Sequence, residues 1–216
     1  FSDIAEVGGI VNLCYGCIIS ESYNYGTVKV FGNDSVYAGG IAGSLYNSNI
    51  MNCYNTGDIL CTANSIYCLP GGILGYIQNN PANPNIEITN CYNTGNIYGT
   101  YDSYSYLAGI VAQNNGKVHD CYNLANIYSE GCYWIGGIIG KDYSKYDITN
   151  CYNAGNITAK ETRYVGGIVG EKYPWDYVEG VINILECYNT GDIIALSNTN
   201  VEAGGIIGNE SSVVYL

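Results

Sequence analysis

One seven-residue phrase governs what this chain can fold into. Cys53-Tyr54-Asn55-Thr56-Gly57-Asp58-Ile59 returns as Cys91-Tyr92-Asn93-Thr94-Gly95-Asn96-Ile97 and as Cys121-Tyr122-Asn123-Leu124-Ala125-Asn126-Ile127. It returns twice more, as Cys151-Tyr152-Asn153-Ala154-Gly155-Asn156-Ile157 and Cys187-Tyr188-Asn189-Thr190-Gly191-Asp192-Ile193, after a degraded copy at Ser22-Tyr23-Asn24-Tyr25-Gly26-Thr27-Val28. Between the copies lies a second phrase, Gly39-Gly40-Ile41-Ala42-Gly43, with counterparts starting at Gly8, Gly71, Ala108, Gly136, Gly166 and Gly204. Spacings of about 30 to 38 residues fall in the range of stacked repeat proteins, so residues 1–216 read as a single tandem array.

The residue types select strand. Ile, Val, Tyr and Thr fill the repeated segments, Gly and Asn punctuate them, and no useful stretch carries a helical apolar stripe. A unit of three short strands with glycine turns is too small to bury its own face, whereas identical units stacked in register bury one another's. The expectation is all-β: a parallel β-helix, or β-solenoid, of about six to seven coils with strands ~4.8 Å apart. Ile41, Ile73, Ile110, Ile138, Ile168 and Ile206 would form one inward column, and Ile59, Ile97, Ile127, Ile157 and Ile193 a second. The turn glycines supply either positive φ or close coil-to-coil approach. A β-propeller is the competing architecture, but Gly-Ile-Val-Gly is poor blade sequence.

Gly167-Ile168-Val169-Gly170 and its copies, with the Cys-Tyr-Asn-x-Gly-x-Ile companion, resemble the GLUG-type repeats of bacterial cell-surface and adhesin-like proteins. The resemblance runs over essentially the whole chain and implies a β-solenoid at the bacterial cell surface or outside the cell. It says little about activity, since such repeats occur in large adhesins and in the non-catalytic parts of surface peptidases. Asn12 and Ala112 depart from the motif's terminal glycine, which implies a local change of turn.

In-register stacking turns each repeat position into a column. Cys53, Cys91, Cys121, Cys151 and Cys187 should form a column of buried free thiols. Disulfides between neighbouring coils rank lower, because parallel in-register pairs present poor side-chain angles. Asn55, Asn93, Asn123, Asn153 and Asn189, with Asn24, should stack as an amide ladder. Tyr54, Tyr92, Tyr122, Tyr152 and Tyr188 should stack on the outer face, where they either shield the sheet or offer a flat aromatic strip to a glycan or a neighbouring solenoid. Asp58 and Asp192 share a slot with Asn96, Asn126 and Asn156, an exchange that fits a side chain bonding its own backbone at a turn.

Catalytic and metal chemistry find little support. Seven scattered cations against a net charge of −12 argue against nucleic acid, whose phosphates need a basic face, and disfavour an anionic membrane surface. No apolar run is long enough to span a bilayer. Cys14-Tyr15-Gly16-Cys17 lacks the second pair of a zinc site and the following helix of a redox motif, and Cys61 with Cys68 is better spaced for a local loop disulfide. Arg163 and His119 are the lone arginine and histidine, so the clustered acids and cations of a carbohydrate-active β-helix enzyme have no counterpart, and His119 reads as an exposed repeat variant. The expectation is a non-enzymatic chain with no cofactor and no metal.

Two roles remain. Val214-Tyr215-Leu216 joined to Phe1-Ser2-Asp3-Ile4 imitates Cys-Tyr-Asn-Thr-Gly-Asp-Ile, so a second copy could continue the coil head to tail, and an open contact of that kind propagates. The opening Phe1 fits a processed product or a stretch of a longer protein, in which case the neighbours are flanking domains. As an adhesin module, the chain would bind a glycan or host protein through the tyrosine face and the variable loops at 78–85, 101–106 and 173–178, with Tyr101, Tyr104, Tyr106 and Trp175 as candidate contacts.

Overall fold

The computed structural model describes residues 4–33, 35–63, 67–78, 86–100, 104–173, 182–198, 200–210 and 214–215. Among these, all regular structure is strand, arranged as a parallel β-solenoid of about seven coils. Each full coil contributes five short strands, two more than the sequence suggests. In the second coil they are Val36–Gly39, Ala42–Tyr46, Asn49–Met51, Tyr54–Asn55 and Ile59–Ala63. Stacked on their counterparts they make five parallel sheets, numbered I to V in that order, with seven strands in sheets I to III and six in IV and V. Sheet IV was hidden because its strands are two residues long and sit inside the Cys-Tyr-Asn phrase.

The register runs through equivalent residues: Tyr54↔Tyr92↔Tyr122↔Tyr152↔Tyr188 in sheet IV and Ile59↔Ile97↔Ile127↔Ile157↔Ile193 in sheet V. The two isoleucine columns do not share a core. Ile41, Ile73, Ile110, Ile138 and Ile168 pack with Leu45, Ile50 and the Cys53 column beneath sheets II and III. Ile59, Ile97, Ile127 and Ile157 pack with Val36, Ala38 and Val165 between sheets V and I.

What divides the two cores is the contact between the asparagine ladder and a glycine column. A Cβ on Gly40 would lie 2.3 Å from Cγ of Asn55 and 2.2 Å from the Gly72 carbonyl oxygen. The chain is therefore pinched where Gly40 faces Asn55, and no larger residue fits there. Close approach, not φ, is the reason for these glycines: among the described glycines only Gly16 and Gly131 have left-handed φ, 65° and 86°. Left-handed backbone falls instead mainly on the corner between sheets III and IV, at Glu21, Asn52, Asn90, Asp120, Asn150 and Glu186, with φ of 48–54°, besides Asn47 and Glu161 at other corners. Asn and Asp tolerate that region better than other non-glycine residues, which accounts for four of the six.

Candidate functional site

The asparagine ladder is the best-defined polar feature of the rod. Asn24 donates through Nδ2 to Oδ1 of Asn55 at 2.8 Å, and the same bond repeats from Asn55 to Asn93, Asn93 to Asn123, Asn123 to Asn153 and Asn153 to Asn189 at 2.8–3.0 Å. The second Nδ2 proton goes to the carbonyl two residues on, Gly57 for Asn55 and Ala125 for Asn123. Asn55, Asn93, Asn123 and Asn153 are wholly buried. A primary amide offers two donors and a two-lone-pair acceptor, so it can serve its own turn and both neighbours at once. No other side chain of that size meets all of these demands.

The cysteine column lies beside it. Cys53, Cys91, Cys121 and Cys151 are free and buried, and Cys187 is free and half-buried. Each sulfur sits 3.2–3.3 Å from the carbonyl oxygen two residues earlier. Contact with the next cysteine, then burial, pushes the Cys53 and Cys151 thiols well up, while a hydrogen bond from Cys151 holds Cys187 below the usual thiol range. Two other pairs are joined: Cys14 with Cys17, and Cys61 with Cys68. The CxxC thus closes on itself, and among the described residues no group of three or more His, Cys, Asp or Glu is placed to hold a metal.

The tyrosines stack with centroids 4.8–5.0 Å apart and planes within 4° of parallel from Tyr54 to Tyr188. Of the two roles open to the column, this geometry favours shielding of the sheet over a flat aromatic strip. Each interior ring spends both faces on its neighbours, so the strip shows solvent ring edges and hydroxyls, and sugar stacking needs a face.

Three further expectations need revision. The Asp58 slot does not bond its own backbone: Oδ1 of Asp58 accepts from the Asn96 N–H at 2.9 Å, Asn96 from Asn126 at 3.1 Å, Asn126 from Asn156 at 3.1 Å and Asn156 from Asp192 at 2.9 Å. An oxygen acceptor one coil away is the shared requirement, which either residue type meets. His119 is not a bare exposed variant; Nε2 lies 2.6 Å from Glu87 and Nδ1 2.7 Å from Asp120. Burial pulls its pKa down, but the bonds to Asp120 and Glu87 outweigh this and raise it. Tyr106 is 5 % exposed, which removes it from any ligand-facing loop, whereas Tyr104 is exposed.

The end matching also fails in register. Val214 pairs with Ile182 and Tyr215 with Asn183 in sheet III, so Val214 lies five positions short of the cysteine slot. Ala5 pairs with Val36 at the start of sheet I, so Ile4 precedes that strand and does not occupy the isoleucine slot of sheet V. Ile4 is exposed. Phe1, Asp3, Leu216, Tyr101 and Trp175 lie outside the described residues.

Sequence reading missed a cluster in the angle between sheets I and II. Leu69, Tyr106, Trp134 and Tyr164 line sheet I, and Lys141 reaches across from sheet II to place Nζ 4.0 Å from the Trp134 ring centre and 5.1 Å from that of Tyr143. Glu171 neutralises it at 2.7 Å. The signal was available as aromatic residues in successive copies of one slot, but they stand in the segment that varies most between repeats.

The family model for the GLUG motif matches residues 34–60 and 67–98. These are GLUG repeats. Each matched segment begins at the sheet I strand and ends in sheet V, so one GLUG unit is one coil, and the later coils keep the same register. No curated protein and no solved structure matches the chain. GLUG repeats on a parallel solenoid fit a repeat-based structural or surface protein.

Proposed function

We propose that this GLUG solenoid is a rigid, non-catalytic spacer of an extracellular bacterial surface protein. The observation that carries this reading is the use of the repeated polar side chains: the Asn55, Asp58 and Tyr54 columns all bind the next coil. Columns engaged this way hold the coils in register and leave their recognition chemistry occupied. The joined pairs Cys14–Cys17 and Cys61–Cys68 support an oxidising compartment, where every free cysteine but the half-buried Cys187 is protected by burial. The tyrosine face is a weak candidate for glycan adhesion because its rings cover one another.

Pulling a single chain from both ends tests the proposal. A spacer should resist and then yield in steps of about 100 Å, the extended length of one ~30-residue coil. Smooth extension without resistance, or tight binding of a glycan by the isolated rod, would sink the spacer reading in favour of an adhesin. Concentration-dependent growth of rods in light scattering would replace it with a filament subunit.

A further inference from the structure

One inward column of sheet II changes character along the rod. Cys14, Leu45 and Ile77 occupy it in the first three coils, and then Asn114, Asp142 and Lys172 follow. Asp142 and Lys172 are both wholly buried, and Nζ of Lys172 contacts Oδ2 of Asp142 directly. The other carboxyl oxygen, Oδ1, accepts from Nδ2 of Asn114 and from the backbone N–H of Ser144, each at 2.9 Å. Nζ also approaches the Ser144 carbonyl at 2.9 Å, the Ser144 hydroxyl at 3.2 Å and the Tyr146 carbonyl at 3.3 Å.

A buried ion pair has to recover the hydration of two charges, and such pairs often fail to do so. This one is also arranged for a reaction. Two N–H donors fixed on Oδ1 stabilise negative charge developing there, as an oxyanion hole does, while the amine nitrogen is held at the opposite oxygen by three further acceptors. We propose that Lys172 and Asp142 condense into an intramolecular amide that cross-links consecutive coils.

The step balances without a co-reactant. A proton passes from the ammonium to Oδ2, which gives an amine beside a carboxylic acid. The nitrogen lone pair attacks Cγ, and the electron pair of the C=O bond moves onto Oδ1, where Asn114 and Ser144 hold it. The C–Oδ2 bond then breaks, Oδ2 leaves as water with a second proton from nitrogen, and the C=O bond re-forms. Nothing is oxidised or reduced. Attack by Nζ needs no approach through solvent, and enclosure protects the product from hydrolysis.

The test is the intact mass of the full chain after denaturation, reduction and alkylation, alongside Lys172→Arg, whose guanidinium keeps the charge but does not acylate. The wild type should be lighter by one water than its fully alkylated sequence, and digestion should yield one joined peptide containing Asp142 and Lys172. Lys172→Arg should have the full mass of its alkylated sequence. A wild type at full mass with separate peptides overturns the proposal and leaves a plain ion pair. A water lost equally from both chains overturns it too, by placing the dehydration elsewhere. The wild-type mass and the joined peptide decide the matter even if the variant does not fold.

Discussion

Replacing Asn123 by alanine attacks the ladder at its centre. Asn123 donates to Ala125 O and Asn153 Oδ1 at 2.8 Å each, and accepts from Asn93 Nδ2 at 3.0 Å and the Ala125 N–H at 3.3 Å. Alanine removes all four bonds in a place water does not reach and leaves groups on three residues short of a partner. Each buried orphan costs about 1–3 kcal/mol, and neighbouring bonds partly compensate, so the expected loss is about 4 kcal/mol. At about 2–4 °C per kcal/mol for a chain of this size, the midpoint should fall by about 10 °C. Asn126→Ala is the control: it removes one exposed bond, from the Asn156 N–H at 3.1 Å, and should cost about 0.5–1 kcal/mol. Asn189→Ala, at the half-buried end of the ladder, should fall between them. Urea and thermal unfolding followed by circular dichroism would measure all three. Equal shifts for Asn123→Ala and Asn126→Ala would refute the claim that the buried ladder holds the coils together.

Gly137→Ala should be strongly destabilising, because its Cβ would lie 2.0 Å from the Gly167 carbonyl oxygen, whereas Gly205→Ala in the same slot meets nothing within 4 Å and should unfold like the wild type. A thiol reagent should modify Cys187 first in the native protein, since it is the half-buried member of the column and its pKa is lowered; Cys53, Cys91, Cys121, Cys132 and Cys151 should react only on unfolding, and rapid native labelling of all of them would contradict their burial. Stability should also depend on pH through His119 and Asp120. The folded-state pKa of His119 is raised, so its contribution is full below the unfolded value of about 6.5 and is lost as pH rises through the higher folded value. That of Asp120 is lowered by hydrogen bonds from His119 and Asn150, so its contribution is present above about 4 and lost as pH falls. The melting midpoint should therefore decline from pH 6 to 8 in the wild type and decline less in His119→Gln; identical profiles would remove His119 from the account.

The solenoid was legible because its repeats place like on like. A column of Ile59, Ile97 and Ile127 can be read from spacing alone, as can the partners in the Asn55 ladder. The cross-section was not legible, because two-residue strands such as Tyr54–Asn55 carry no alternation that could separate them from a turn. The meaning of Gly40 became clear only with Asn55 packed against it, a contact between sequence-distant phrases. Tyrosine spacing located the outer column, but the ring tilt that covers the faces depends on side-chain torsions. The Lys141 cluster and the Asp142–Lys172 contact were missed because they occupy slots where the repeats differ, and a repeat-based reading averages over such slots.

The claim of a rigid, in-register rod is tested most directly by distances along one face. Lys29, Leu60, Tyr98, Tyr128, Thr158 and Ile194 form one column of sheet V. With Cys187 replaced by serine, nitroxides at positions 29 and 158, and then at 29 and 194, span four and five coil steps. At ~4.8 Å per step, pulsed electron paramagnetic resonance should give separations near ~19 Å and ~24 Å, each narrowly distributed. Broad distributions, or a separation that does not grow by about one strand spacing, would contradict both the stacked register and the spacer built on it.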